Sequence, residues 1–125
     1  MLTHVPHEKH NRYSEAITVP LGGATMAFVA GQWGVAPGST EKPSVEAETR
    51  ACFANVQKVL AKCGMGFADV VRIDVFLSDL ALYDEFSRVR SEIFPDKPPT
   101  STLVRADMLL GARVEITAIA VKASA

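Results

Sequence analysis

The amino-acid sequence predicts an α+β fold in which two helices pack on one face of a five-stranded sheet. A length of 125 residues is typical of one domain, so residues 1–125 are predicted to share a single core. Two segments with the apolar spacing of helices separate runs rich in β-branched residues, which predicts the order ββαβαββ. Helices that connect strands in this way are expected to form a second layer on the sheet.

The first two predicted strands cover residues 16–19 and 25–31. Both runs are rich in residues that favour strands, and the Gly22-Gly23 pair between them indicates a hairpin turn. The segment from Pro37 to Pro43 is predicted to be a loop, because proline and glycine interrupt it and none of its side chains is suited to a core.

Two helices are predicted from apolar residues spaced three, four and seven apart. The first covers Ser44 to Cys63, with Gly64 as the left-handed residue at its end. The second follows Asp79 as its N-cap and stops before Pro95. Charged residues at i, i+4 spacing are predicted to pair along its surface, namely Asp84, Arg88 and Glu92.

Three further strands are predicted, at Val70 to Leu77, Ser101 to Ala106 and Val114 to Val121. Alternate residues of the first, from Val71 to Leu77, are expected to line one face. In the strand at 25–31 and in the last strand, both alternating sets of side chains are largely apolar, although a face open to water should be polar. Since the helices cover one face, we predict that another subunit buries the other.

The residue types that most often bind metals or act as nucleophiles are predicted to be inert. Cys52 and Cys63 share the apolar stripe of the first helix and lie about 16 Å apart along its axis, too far for a disulfide. Burial there disfavours a reactive thiolate. His4, His7 and His10 lie in a terminal segment, expected to be mobile, that has no cysteine or carboxylate cluster. Neither a metal nor a cofactor is therefore expected.

Composition and charge exclude several classes of function. Thirteen basic and fourteen acidic residues give a net charge of −1, and no run of lysine or arginine occurs, which argues against nucleic-acid binding. The longest apolar stretches are about six residues, whereas crossing a membrane takes roughly 20. The N-terminus does not resemble a secretory signal, so a cytoplasmic location is expected. No dinucleotide-binding, P-loop or Gly-x-Ser-x-Gly motif is found.

One charged residue stands out in the last predicted strand. Glu115 lies between Val114 and Ile116 in an otherwise apolar segment, and its side chain belongs to the opposite face. A carboxylate in such surroundings needs hydrogen-bond partners. One interpretation is a strand-end glutamate bonded to solvent or to an arginine. The other is a general acid or base, or a group that positions water.

Six segments carry a family resemblance, and they follow one another at a characteristic spacing. They are Tyr13-Ser14-Glu15-Ala16, Phe28-Val29-Ala30-Gly31-Gln32, Asn55-Val56 with Leu60, residues 69–79, Phe94-Pro95 with Pro98-Pro99, and residues 114–121. From about Tyr13 onward the chain resembles the RidA/YjgF family. The resemblance implies a two-layer, chorismate-mutase-like fold and a homotrimer whose sheets line a central barrel. It also implies ligand clefts between subunits, which agrees with the buried second face predicted above.

The resemblance also implies a chemistry and the residues that perform it. The best-known members hydrolyse reactive imines and enamines, such as 2-aminoacrylate, to 2-oxo acids and ammonia without a metal or organic cofactor. Three positions match theirs: Tyr13 as a substrate-binding tyrosine, Gly31 as a backbone amide, and Glu115 as the glutamate that positions water. At the fourth position, an arginine that holds the substrate carboxylate in the family, this chain has Thr100.

The change at Thr100 bears directly on substrate binding. An arginine binds a carboxylate through two charge-assisted hydrogen bonds of roughly 1.5 to 3 kcal/mol each, whereas a threonine hydroxyl offers one bond of about 1 kcal/mol. Arg88, Arg90 and Arg105 are the arginines that could substitute. Arg105 is predicted to point to the opposite strand face from Thr100, and Arg88 has carboxylates at helical spacing. Arg90 and the neighbouring Ser87 are included among the predicted substrate-binding residues.

Ala30 and Trp33 indicate a different ligand from that of the best-known members. Ala30 stands where a serine is common in the family, and Trp33 where a small or aliphatic residue is usual, so the predicted cleft is less polar and more aromatic. Trp33 can equally be a packing residue at a strand end. Two functions stay open: hydrolytic deamination of an imine or enamine other than 2-aminoacrylate, and binding of a small metabolite without turnover.

Overall fold

The computed structural model describes residues 1–36 and 38–124, which form a six-stranded sheet and two α-helices. The strands are β1 (Thr3–Pro6), β2 (Ser14–Pro20), β3 (Ala24–Trp33), β4 (Val70–Leu77), β5 (Thr100–Arg105) and β6 (Val114–Ala123), and the helices are α1 (Val45–Lys62) and α2 (Tyr83–Ile93). The strand order is β1-β2-β3-β6-β4-β5, antiparallel except between β4 and β5. Pro37, which begins the predicted loop, and Ala125, which ends the predicted domain, lie outside the described residues.

The predicted α+β fold is confirmed, and the order ββαβαββ describes the chain from β2 onward. Strand β1 is an addition to that order, so the prediction of five strands was one too few. It pairs with β2, where Val5 lies opposite Ala16. A four-residue strand has almost no periodicity of its own, and its conformation depends on a partner that lies later in the chain. The start of the chain is therefore held on the sheet instead of forming an unpaired terminal segment.

The hairpin between β2 and β3 turns at the predicted glycine pair. Gly22 and Gly23 both have positive φ, 60° and 87°, and the Leu21 N–H donates to the Ala24 carbonyl over 2.9 Å. Two consecutive residues with positive φ are typical of the type I′ turn, which glycine adopts at the least steric cost.

Both helices lie where the apolar spacing predicts them. The Ser44 hydroxyl caps α1 by accepting a hydrogen bond from the Ala47 N–H, and Gly64 follows the helix with a φ of 71°. Asp79 acts as an N-cap as predicted, but the turn it caps is the 3-10 helix Leu80–Leu82, which precedes α2. The regular α-helix therefore begins one turn later than predicted.

The predicted ion pairs along α2 were wrong. Arg88 pairs with Glu46 of α1 over 3.1 Å, and Glu92 pairs with Arg50 of α1 over 2.8 Å. Because α1 and α2 pack against each other, carboxylates and guanidinium groups on the facing helix are closer than those one turn away on the same helix. These exposed pairs join the two helices, and each contributes at most about 1 kcal/mol.

The core lies between the helices and one face of the sheet. Its largest buried side chains include Phe53, Leu60, Ile73, Phe86 and Ile116. Along β4 the predicted inward face needs one correction, since Val71 is exposed and Val70 is buried in its place. A register shift between Val70 and Arg72 causes this, because an irregularity exchanges the faces of the residues on either side of it.

The other face of the sheet is largely apolar, as the last predicted strands indicate. Strand registers place the following apolar residues on it: Ile17, Val19, Met26, Phe28, Phe76, Val104, Ile119 and Val121. Phe28 and Val104 are each 43% exposed. The same face also carries an ion pair of 2.8 Å between Arg72 and Asp74, both of β4. We call this surface the outer face.

None of the helices among the described residues is long and apolar enough to cross a membrane.

Candidate functional site

A cleft of about 1020 Å³ opens where β3 ends and β6 begins. Its walls come from the β1–β2 loop, the end of β3, Asn55 of α1, and Leu109 and Leu110 before β6. This volume is at the upper end of the range for small-molecule sites. The cleft brings together most of the predicted site residues, namely Tyr13, Ala30, Gly31, Trp33 and Glu115.

An irregularity in β3 brings Gly31 and Trp33 to Glu115. Between Val29 and Gln32, β3 contains one residue more than the facing stretch of β6, and Trp33 becomes the partner of Glu115 in the register. Gly31 then faces the carboxylate directly: a Cβ atom at this position would lie 2.6 Å from Glu115 Oε2. Glycine is therefore needed at position 31 if the Glu115 carboxylate is to keep its present position.

Two hydrogen bonds fix the geometry around Glu115. Trp33 Nε1 donates to Glu115 Oε1 over 2.6 Å, and the Trp33 carbonyl accepts from Asn55 Nδ2 over 2.6 Å. A bond from an indole N–H to a carboxylate is charge-assisted, so it orients the carboxylate strongly. Trp33 lines the cleft, and its main-chain carbonyl is bonded to α1.

An ion pair between the buried Glu48 carboxylate and the partly buried Arg113 holds the start of β6 on α1. Glu48 is 2% exposed and accepts two bonds of 2.8 Å from Arg113, one from the backbone N–H and one from Nε. The same guanidinium donates to the Pro43 carbonyl. Arg113 lies two residues before Glu115, so this pair sets where the catalytic candidate enters the cleft. This pair was not predicted from the sequence, although Glu48 lies on the apolar stripe between Val45 and Cys52.

The β1–β2 loop forms an aromatic and basic wall of the cleft. The rings of His7 and His10 stack at 3.7 Å, and the Tyr13 ring packs edge-on against both, at 5.4 and 4.7 Å. The N–H groups of Lys9 and Arg12 donate to Nδ1 of His7 and of His10, over 3.1 and 3.2 Å. These contacts give the loop a defined shape. No group of three or more histidine, cysteine or acidic residues suited to a metal occurs in residues 1–36 and 38–124.

A second carboxylate at the cleft, Glu15, is already neutralised. Its Oε2 accepts from Lys62 Nζ over 2.7 Å, and the same ammonium group binds Glu8 over 2.8 Å. The bonds to Glu15 and Glu8 raise the pKa of Lys62 above its usual value. Of the two carboxylates that line the cleft, Glu15 is therefore held in an ion pair, whereas Glu115 forms no ion pair within the described residues.

The predicted residues Ser87, Arg90 and Thr100 do not line this cleft in the single chain. On α2, Arg90 donates to the Tyr83 hydroxyl over 3.0 Å and to Ser87 Oγ over 3.1 Å. Hydrogen bonds with Ser87 and Arg90 lower the pKa of Tyr83. Thr100 begins the edge strand β5 and donates its hydroxyl to the Val71 carbonyl over 2.9 Å.

Strand spacing separates Thr100 from Glu115 by about 16 Å, two strands across and four residues along. Arg105, on the same edge strand, is the register partner of Leu77 and belongs to the opposite face from Thr100, as predicted. Arg88 is paired with Glu46. No arginine of the predicted set therefore reaches Glu115 within the described residues of one chain.

The cysteines have the buried character that the sequence predicts. Cys52 is fully buried and donates from Sγ to the Gln32 carbonyl over 3.0 Å, while Cys63 is partly buried. Burial raises the pKa of both thiols. A raised pKa leaves little thiolate at neutral pH, so neither cysteine has the character of a nucleophile.

A Gly31→Ala substitution is expected to slow the deamination that the family resemblance implies about tenfold to a hundredfold while leaving the fold intact. The new methyl group would displace the Glu115 carboxylate, and displacements of about 1 Å can have effects of this size. The measurement is the rate of ammonia release described below, together with the thermal unfolding temperature. Gly66→Ala is the matched control, because a Cβ there meets open space. Equal rates for both variants would contradict the expectation.

Comparison with known proteins identifies the family. The family model described as endoribonuclease L-PSP matches residues 4–122. The chain belongs to the RidA/YjgF family. A RutC family protein of Sulfurisphaera tokodaii is 34% identical over 113 residues, which cover 88% of this chain and 87% of that protein. Protein DfrA of Myxococcus xanthus is 36% identical over 112 residues, which cover 87% and 84% of the two chains.

Solved structures of RidA/YjgF proteins have the same fold as this member. The crystal structure of yeast Mmf1 has a TM-score of 0.84 at 25% identity and covers 98% of this chain and 99% of its own. A YjgF family member of Neisseria meningitidis has a TM-score of 0.81 at 25% identity, with coverage of 100% and 98%. The family resemblance predicted from the six sequence segments is thus confirmed.

Proposed function

We propose that this RidA/YjgF protein hydrolyses a small imine or enamine to a 2-oxo acid and ammonia in the Glu115 cleft. The observation that carries the proposal is the orientation of Glu115, whose Oε1 is held by Trp33 while Oε2 faces Gly31. A carboxylate with one oxygen fixed and the other directed at a cleft can accept a proton from a bound water molecule. Ala30 and Trp33 in the cleft lining support a substrate different from 2-aminoacrylate.

The proposed reaction adds one water molecule across the C=N bond. Glu115 takes one proton as the water oxygen attacks the imine carbon and passes it to the nitrogen, which gives a neutral carbinolamine. Glu115 then takes the proton of the carbinolamine hydroxyl and delivers it to the nitrogen as the C–N bond breaks, so that the carbonyl forms and ammonia leaves. Tyr13, Ala30 and the Gly31 N–H would bind the substrate beside the indole. The reaction needs no cofactor, and we place it in the cytoplasm.

A homotrimer is part of this proposal, because one chain leaves the predicted site incomplete. Ser87, Arg90 and Thr100 lie away from the Glu115 cleft, and an adjoining copy could bring them to it. The largely apolar outer face supports burial of this kind, since contiguous exposed apolar patches often mark interaction surfaces. Light scattering should therefore give three times the chain mass of 13.4 kDa. A monomer mass would contradict the trimer.

An outer-face variant gives the trimer a sharper test. Phe28→Asp is expected to lower the mass toward that of a monomer, because it would place a charge at a dry interface. Leu80→Asp is the matched control, since Leu80 is similarly exposed, at 54%, but belongs to the 3-10 helix before α2 and not to the outer face. If both variants keep the trimer mass, the outer face is not the interface.

Binding of a metabolite without turnover is the alternative function. Thr100 favours it, because its hydroxyl proton is donated to the Val71 carbonyl and the position has no charge for a substrate carboxylate. The alternative predicts a ligand that binds at Trp33 and leaves unchanged.

Ammonia release separates the two functions. An amino acid oxidase can generate 2-imino acids in place from several amino acids, and the initial rate of ammonia release is then compared with and without the protein. Acceleration of hydrolysis for at least one 2-imino acid is the expected result. If no imine or enamine is hydrolysed faster than in buffer, while ligands still alter Trp33 fluorescence, the binding function is supported instead.

A further inference from the structure

The proposed function gives the β1–β2 loop no role beyond Tyr13. This loop nevertheless contributes His7, Lys9, His10 and Arg12 to the lining of the cleft. Among the described residues that line the cleft, the other charged side chains are the acidic Glu15 and Glu115. The cleft thus has a basic wall as well as its carboxylate, although the chain as a whole has a net charge of −1.

At neutral pH the fixed positive charge of this wall comes from Arg12 and Lys9. Partial burial and the nearby charge of Arg12 lower the pKa of His10. Arginine stays protonated at any physiological pH. Within residues 1–36 and 38–124, neither Arg12 nor Lys9 forms an ion pair with a carboxylate. Their charges are therefore available to a ligand.

Arg12 is the better placed of the two for a planar anion. Its backbone N–H is bonded to His10 Nδ1, and the next residue, Tyr13, packs against the His10 ring. The main chain at Arg12 is thereby held beside the position that the proposed function assigns to the substrate. A guanidinium group presents paired donors that match both oxygens of a carboxylate, whereas an ammonium group is a point charge.

We propose that Arg12 binds the carboxylate of the substrate in the Glu115 cleft, so that the cation comes from the β1–β2 loop instead of from position 100. This inference rests on the proposed function and specifies it, because it makes the substrate an anionic 2-imino acid and not a neutral imine. It also explains how Thr100 can be tolerated in a working site. Within one chain Arg88 is paired with Glu46 and Arg90 is bonded to Tyr83 and Ser87, and Arg105 belongs to the strand face opposite Thr100.

Trp33 provides a direct measurement, since it is the single tryptophan of the chain and lies in the cleft. Its fluorescence is titrated with 2-oxobutanoate, a product-like acid, and with methyl 2-oxobutanoate, which has the same carbon chain without the charge. Wild-type protein should bind the acid more tightly. Arg12→Gln should weaken acid binding about tenfold to a hundredfold and change ester binding less than about twofold. Arg12→Lys should recover part of the affinity for the acid.

Arg105→Gln is the matched control, and it should leave both affinities unchanged. Three results would overturn the role of Arg12 while the proposed function stands: equal acid affinity in wild type and Arg12→Gln, equal weakening of acid and ester, or a loss of acid binding in Arg105→Gln instead. If neither compound perturbs Trp33 in the wild type and no 2-imino acid is hydrolysed, the proposed function fails together with this inference.

Discussion

A Glu115→Gln variant should release ammonia at least about a hundredfold more slowly than the wild type, because removal of a general base has effects of this size. Glutamine has the size of glutamate, and its carbonyl oxygen can still accept the hydrogen bond from Trp33 Nε1. The geometry of the cleft is therefore retained while the ability to take a proton from water is lost. The initial rate with the best 2-imino acid measures the effect.

Two controls separate chemistry from structure in this variant. Glu92→Gln should keep the full rate, because Glu92 is exposed and pairs with Arg50 away from the cleft. The affinity of Glu115→Gln for methyl 2-oxobutanoate, read from Trp33 fluorescence, should stay within a few-fold of the wild type. An unchanged rate would remove Glu115 from the mechanism, and a loss of affinity as large as the loss of rate would assign it to binding.

A Glu48→Ala variant should lower the free energy of unfolding by about 2 to 4 kcal/mol, because it removes a buried carboxylate and leaves the partly buried Arg113 guanidinium without its charged partner. The Arg113 N–H loses its acceptor as well. Urea unfolding at a fixed protein concentration measures the change, since unfolding of an oligomer depends on concentration.

The neighbouring acidic residue of α1 is the matched control for Glu48. Glu46 lies two residues earlier and pairs with Arg88 at the surface, so Glu46→Ala should cost no more than about 1 kcal/mol. If Glu48→Ala and Glu46→Ala lowered the free energy of unfolding equally, burial of the Glu48 carboxylate would not explain how much its ion pair stabilises the fold. Any Glu48→Ala protein that still folds should also hydrolyse more slowly, because Arg113 fixes the start of β6.

The parts of the fold that depend on neighbours in sequence were predicted well. The span of α1 follows from apolar spacing and from Ser44 and Gly64 at its ends, all of which act within a few residues. The Gly22-Gly23 turn is similarly local, and it joins β2 to β3 as expected. Glu115 was identified as the candidate acid or base because a lone carboxylate in an apolar strand contrasts with its immediate neighbours.

The features that were missed depend on contacts between distant parts of the chain. Strand β1 exists because β2 lies beside it, and only that pairing brings the basic loop with Arg12 to the end of β3. Arg88 pairs across to α1, although its own helix offers carboxylates at the right spacing. The partner of Glu48, Arg113, lies 65 residues further along the chain, and no periodicity relates the two.

The irregularity in β3 decides which side chain accompanies the catalytic candidate. Side chains alternate between the faces of a strand, so one extra residue exchanges the faces of all that follow. Without the extra residue between Val29 and Gln32, the amide of Gln32 would lie beside Glu115 and the indole of Trp33 would point toward the helices. The cleft is therefore aromatic because the extra residue in β3 places Trp33, and not Gln32, on the same face as Glu115. A relative with tryptophan at the same place in its sequence, but with a regular strand, would keep that ring in its core.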